Sequence, residues 1–383
     1  MLGANLRRAR EACGMTQAEV AEQLAVSRTT LAAIERGTRG VRSEELVELA
    51  SIYGREVPGL LQQRAPVPDF GVQLRSAIRR RSIDADLLPH LDELERLCDD
   101  YLRLEELRSA PLLPQHPPEY DIADVDPDQA AEDIAASERK RLALGEGPLP
   151  DLRELLETQV GLRIFQLDLP SVVAGMFAFT EEHGGCIAVN RKHSPERRRQ
   201  SLGHEYGHFL TSRRHPEVTV LSAYDRMTRA ERFAETFGRA FLMPGHALRH
   251  RFLAIERERK GHPTHGDLCR SAHAYGVPVE GMTLRLEELG LIPAGTWERL
   301  QQEGFGPREA QRLLDLHPLA TGDEVVPPRF VFFALEAWED GQLSEGQLAR
   351  LLRIDRMRTR QLIERYSVPG DTSSLVQPLA GTR

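Results

Sequence analysis

The most constraining stretch of this chain is Ser201–Arg214, SLGHEYGHFLTSRR. Within it His204, Glu205 and His208 spell H-E-x-x-H. On an α-helix, positions i and i+4 lie one above the other on a single face. Both imidazoles can therefore reach one Zn²⁺, with Mn²⁺ as the alternative, and Glu205 stands where it can take a proton from a polarised water. The flanks suit a helix: Leu202, Phe209 and Leu210 are apolar, and no proline lies between Gln200 and Arg214. The competing reading is an exposed charged helix with two incidental histidines, because so short a pattern arises by chance.

A hydrolytic zinc site usually has three protein ligands and one water. Downstream lies ERFAETFGRAFLMP, whose Phe233, Phe237, Ala240 and Phe241 form an apolar stripe. Glu231 and Glu235 share a face of that helix, and either could supply the carboxylate. The spacing gives no reason to prefer the lone Asp225 upstream. IAVN at Ile187–Asn190, the basic run Arg197–Arg199, HEYGH, ExxAxxF at Glu231–Phe237 and FLMP follow in one order. With these pieces, residues 130–300 resemble the ImmA/IrrE family of zinc metallopeptidases, of the zincin class. The resemblance implies His204 and His208 as ligands, Glu205 as general base and Glu231 as third ligand. The family usually has Asn or Asp where this chain has Glu235. That residue is expected either to orient a ligand histidine through its other nitrogen or to compete with Glu231 for the metal.

The first 64 residues read as short helices. Thr16 and Ser27 are placed to cap two of them across a turn at Ala25-Val26, and Gly37 to end the second. MTQAEVAEQLAVSRTTLAAIERG resembles the Cro/repressor-type (XRE) helix-turn-helix family. That resemblance implies duplex operator DNA as partner. Gln17 would meet a phosphate or base, and Ser27, Arg28, Thr29 and Thr30 would face the major groove. Arg28 could pair with a guanine, and Arg36, Arg39 and Arg42 would hold the backbone. The block carries nine arginines against eight glutamates, and the whole chain has a net charge of −8, so a nucleic-acid coat is excluded.

Leu87, Leu91, Leu94, Cys98 and Tyr101 recur at four, three, four and three, a seam that suits a homodimer contact or a helix packed on its own domain. Ala110–Gln129 holds five prolines and reads as an acidic linker. Leu162–Leu167, Gly175–Thr180 and Gly185–Asn190 read as three antiparallel strands. The expected fold is mainly α with a small antiparallel sheet (α+β): a helix-turn-helix domain at 1–64, a helical connector at 65–109, the linker at 110–129, a zincin-like domain with a trailing helical unit at 130–300, a helical accessory segment at 301–366 and a mobile tail at 367–383. The four cysteines form no C-x-x-C pair and no apolar run is long enough for a membrane, so a cytoplasmic protein is expected. The resemblances together imply a transcriptional regulator, of the stress-response kind, whose zinc endopeptidase domain cuts a repressor protein. The alternatives are a regulator whose zincin-like domain senses or binds without turnover, and a toxin–antitoxin component.

Overall fold

The computed structural model describes residues 2–12, 15–53, 57, 60, 87–180, 182–213, 217–220, 228–317 and 324–366. The expected mobile tail at 367–383, Asp225 and most of the connector before Leu87 lie outside them. The described residues of the N-terminal unit include the helices α1 Leu2–Ala12, α2 Gln17–Gln23, α3 Arg28–Glu35 and α4 Ser43–Ile52. Thr16 and Glu19 form a reciprocal capping box on α2, and the Ser27 side chain accepts from the Thr30 amide to cap α3. Ala25 and Gly37 take the left-handed conformations that turn the chain, with φ of 53° and 73°. Leu6, Val20, Leu31, Ile34 and Leu49 close this unit's own core.

The rest is built on both faces of a small sheet. Three helices come first: α5 Leu88–Leu107, α6 Pro127–Arg141 and α7 Leu152–Val160. Strands β1 Arg163–Leu167, β2 Val173–Thr180 and β3 Gly184–Asn190 lead into helix α8 Pro195–Thr211, which carries the H-E-x-x-H motif, followed by β4 Glu217–Val220 and α9 Arg229–Leu242. Five short helices follow, α10 Gly245–Glu258, α11 His265–Tyr275, α12 Val279–Glu288, α13 Thr296–Gln302 and α14 Pro307–Leu313, then α15 Pro328–Glu339, α16 Glu345–Leu352 and α17 Arg356–Tyr366.

The sheet order is β1-β3-β2-β4. β2 pairs antiparallel with β3 and with β4, but β1 runs parallel to β3, with Ile164 opposite Ile187. The expectation of an all-antiparallel sheet is corrected on this point: the sheet is mixed and gains a fourth strand. Alternating apolar residues fix which face a side chain takes, not the direction of its neighbour. The direction is set by the 168–173 crossover, which Asn190 holds by donating to the carbonyls of Leu169, Pro170 and Val173.

Side chains alternate between two cores. Ile164, Phe177, Ile187 and Val189 face the layer of α6, α8 and α9. Phe165, Leu167, Met176, Ala178 and Ala188 face α5, α15 and α16. The seam Leu87, Leu91, Leu94, Cys98 and Tyr101 is buried there, beside Phe330 and Phe333. It therefore packs on its own chain, and the dimer-contact expectation is corrected: the apolar stripe is already covered. The accessory segment completes that same core.

The expected linker is also docked. Tyr120 N–H donates to the Leu210 carbonyl at 2.8 Å and Gln115 N–H to Val160 at 3.2 Å. The Arg213 guanidinium donates to the Pro117 carbonyl at 2.7 Å, and α6 starts inside the segment, at Pro127, capped by Asp126. Proline forbids a helix or a central strand, but it leaves an extended chain with carbonyls free to accept from arginines.

Candidate metal centre

Helix α8 is buried on every side from Ser201 to Leu210. It can sit so deep because glycines let α9 approach. A Cβ on Gly207 would stand 2.9 Å from Ala234 Cα, and one on Gly238 would stand 3.1 Å from the His204 amide nitrogen. Phe233, Phe237 and Phe241 stack along α9 at 5.7 and 5.5 Å and are fully buried, with the Tyr206 ring edge-on to the last two. Each such ring contributes roughly 1.5–3 kcal/mol on burial, so the crossing is firmly held. Tyr206 also donates to the buried carboxylate of Glu138, which ties α8 to α6.

The crossing brings three donors together. His204 Nε2 and His208 Nε2 lie 3.0 Å apart. Glu231 Oε2 is 3.3 Å from the first and 3.7 Å from the second. A tetrahedron with metal–ligand bonds of about 2.0–2.1 Å has edges of roughly 3.3 Å, so the three separations bracket what Zn²⁺ requires. The donor set of two imidazoles and one carboxylate suits a borderline divalent ion, Mn²⁺ included.

Electrostatics agree with this fit. Burial alone would push the His204 imidazole down, but its contact with Glu231 and the charges of Glu235 and Glu205 lift it to about 9. Burial would raise Glu231, yet both histidines hold its carboxyl far below the usual carboxylate range. The pocket stabilises positive charge, which a divalent cation also supplies.

Glu205 is fully buried, and the Thr219 side chain of β4 is the one neutral group that approaches its carboxylate among the described residues, without a hydrogen bond of good geometry. Burial pushes its carboxyl up, against the pull of His204 and His208. Its room comes from Gly175 on β2, where a Cβ would stand 2.5 Å from Glu205 Oε1. The strand pattern of Gly175–Thr180 marks Gly175 only as an edge; nothing local to it shows the wall behind Glu205.

Glu235 stands elsewhere. Its Oε1 is 3.5 Å from His204 Nδ1, on the far side of that ring from Glu231, and its Oε2 accepts from Arg239 at 2.8 Å. Arg239 in turn holds Glu288 of α12 at 2.6 Å, a link that no local pattern shows because its two ends are far apart in the chain.

In the N-terminal unit Arg28 and Thr29 are exposed at the start of α3, and Arg36 is exposed at its end. Ser27 and Thr30 share the cap, their hydroxyls 2.8 Å apart. Gln17, expected at the DNA, instead donates to Glu35 at 2.8 Å, beside the buried Arg10–Glu35 ion pair. Arg39 and Arg42, expected on the phosphates, both grip Glu45 at 2.8 Å and hold its carboxyl down at about 2. These contacts share one cause: an amide or guanidinium close to a carboxylate is held by it.

Residues 157–287 match the family model of the M78 peptidases, described as the IrrE N-terminal-like domain. Residues 1–61 match that of a helix-turn-helix domain. A search of curated proteins gives no match. Among solved structures, ComR from Streptococcus suis is similar at 11% identity over 96% of this chain and 88% of that chain, with a TM-score of 0.15, which carries no structural argument. No helix among the described residues is long and apolar enough to cross a membrane. The chain is thus a DNA-binding regulator in which an N-terminal helix-turn-helix domain is joined to an IrrE-like, M78 peptidase-like domain.

Proposed function

We propose that the M78-like domain is an active metallopeptidase and that its substrate is a repressor protein, freed from its operator when cut. The observation that carries this reading is Glu205. A carboxylate buried with no closer support than the Thr219 side chain and the two imidazoles costs stability, and packing alone gives no reason to keep one. A general base facing a water needs that environment.

His204, His208 and Glu231 would hold the metal. When bound, Zn²⁺ supplies Lewis acidity at this place. Glu205 takes the proton of the attacking water onto a carboxylate oxygen and returns it to the leaving amine. Gly175 leaves Glu205 room to do so, α8 itself sets Glu205 beside His204 and His208, and the α8–α9 crossing places Glu231. At the other end, Arg28 and Thr29 would enter the major groove, Arg28 toward a guanine. Arg36 would meet a phosphate, while Arg39 and Arg42 together offer one net positive charge after Glu45.

The test pairs the zinc-loaded chain with the repressor encoded nearest to it. Wild type should cut, and Glu205→Gln should hold the same metal and not cut. Equal zinc in both proteins with no cleavage by either would leave a sensor or interaction module instead.

A further inference from the structure

A cavity of about 670 Å³ lies between β1, the N-terminal end of α8 and helices α15–α17. Its floor is apolar, formed by Ile164, Val189, Leu202, Val331, Leu335 and Leu352. Its walls carry seven arginines against two acidic residues, Asp151 and Glu324. Several of the seven have structural work. Arg153 donates to the carbonyls of Ile164 and Val325, Arg191 pairs with Asp168, and Arg353 pairs with Glu93 and Asp100. Arg358 and Arg365 differ. They are exposed on α17, seven residues apart and so on one face, and among the described residues only Arg358 approaches an acid, Glu324 at 4.0 Å. Arg198 of α8 also lines the cavity, but it is buried and engaged, donating to Gln166 at 2.6 Å. The N-terminal end of α8, at Pro195, adds the positive end of its macrodipole.

We propose that this cavity binds a small molecule with an apolar body and one carboxylate. The body would lie on the aliphatic floor and the carboxylate between Arg358 and Arg365. The volume falls in the range of sites that enclose one small ligand, roughly 300–1,000 Å³, lined mostly by apolar groups with a few polar ones. The charge chooses the headgroup: an excess of guanidinium beside apolar surface favours a planar anion that accepts two parallel hydrogen bonds. Nothing in the peptidase reading uses this cavity. It shares α8 with the metal centre, since Leu202 lines it two residues before His204.

The experiment titrates the full-length chain with dansyl-undecanoate and follows dansyl fluorescence. Saturable binding at one site per chain is expected, with displacement by decanoate but not by decylamine or methyl decanoate. A chelator should leave the titration unchanged, because the metal centre is not the site. Replacing Arg358 and Arg365 by Ala together should weaken binding about tenfold or more, the loss of charge-assisted hydrogen bonds. Val331→Trp should fill the floor and abolish binding, while circular dichroism and the melting temperature show that the variant is folded. The proposal is overturned by an absence of saturable binding to wild type. Full affinity in both variants, or displacement by decylamine as good as by decanoate, would do the same. Displacement by decyl phosphate at tenfold lower concentration than decanoate would overturn the choice of carboxylate.

Discussion

Gly238 on α9 presses its bare Cα against the backbone of His204 on α8, so that a Cβ there would meet the His204 amide nitrogen at 3.1 Å and the Gly203 carbonyl carbon at 3.2 Å. Those atoms are backbone and cannot swing aside, so Gly238→Ala must move one helix off the other. We expect a loss of about 1–3 kcal/mol of stability, as for overpacking in a core. Zinc affinity should weaken as well, since Glu231 rides on the helix that moves. Urea unfolding and zinc titration measure the two effects. A variant with unchanged zinc affinity would show that the ligands do not depend on this contact.

The ligand set makes a second prediction. His204→Ala, His208→Ala and Glu231→Ala should each lose zinc by elemental analysis. Glu235→Ala should keep it, because Glu235 lies on the Nδ1 side of His204 and is held by Arg239. If Glu235→Ala empties the site and Glu231→Ala does not, the assignment of the third ligand is wrong.

Glu157 carries a pH dependence. It is buried and accepts from Tyr101 at 2.6 Å. Burial pushes its carboxyl up from 4.5 to about 7, against the Tyr101 bond and the charges of Arg153 and Arg329. A carboxyl raised in the folded state costs stability when ionised. The cost is full above pH 7 and fades as pH falls from 7 toward 4.5. Glu157→Gln keeps the shape and an acceptor for Tyr101. It should therefore stabilise the protein by about 1–3 kcal/mol at pH 8 and much less at pH 5. Urea unfolding at both pH values is the check, and a variant less stable at pH 8 would mean that the arginines outweigh burial.

On DNA, Arg28→Ala should cost about 1–3 kcal/mol at one base position. Arg36→Ala should weaken binding to all sequences and flatten the salt dependence. Arg39→Ala should flatten it less, because Arg39 already shares Glu45 with Arg42. Affinities for operator and random duplex across a salt series separate the three. Equal affinity for both duplexes would count against sequence reading by Arg28.

Two truncations test how the chain divides. The first unit closes its own core, so removing residues 1–64 should leave the melting of the remainder nearly unchanged. Removing residues 1–109 should not, because it strips α5 and bares the face of the sheet that Leu91, Leu94 and Tyr101 cover. Similar melting temperatures for the two shortened chains would show that α5 is dispensable to that core.

Much of this protein was legible from local chemistry. The caps at Thr16 and Ser27, the turn at Gly37, Pro195 at the head of α8 and the pairing of His204 with His208 each depend on residues within one helical turn. The seam on α5 was legible as a stripe, but not what it covers: a stripe specifies an apolar partner and says nothing of which chain supplies it.

The sequence by itself determined the elements, the two histidines on one face, and Glu205 between them, because helical periodicity is a property of neighbouring residues. Tertiary structure alone decided the rest. It made β1 parallel to β3, bound Gln17 to Glu35 and Arg39 and Arg42 to Glu45, and laid the proline-rich segment against the domain. It also set Gly175 behind Glu205 and brought Glu231, rather than Glu235, within 3.3 Å of His204 Nε2. The physical reason is common to all of these. Each depends on which groups from distant parts of the chain arrive within hydrogen-bonding or van der Waals reach. Packing fixes that only after the helices have crossed and the sheet has closed.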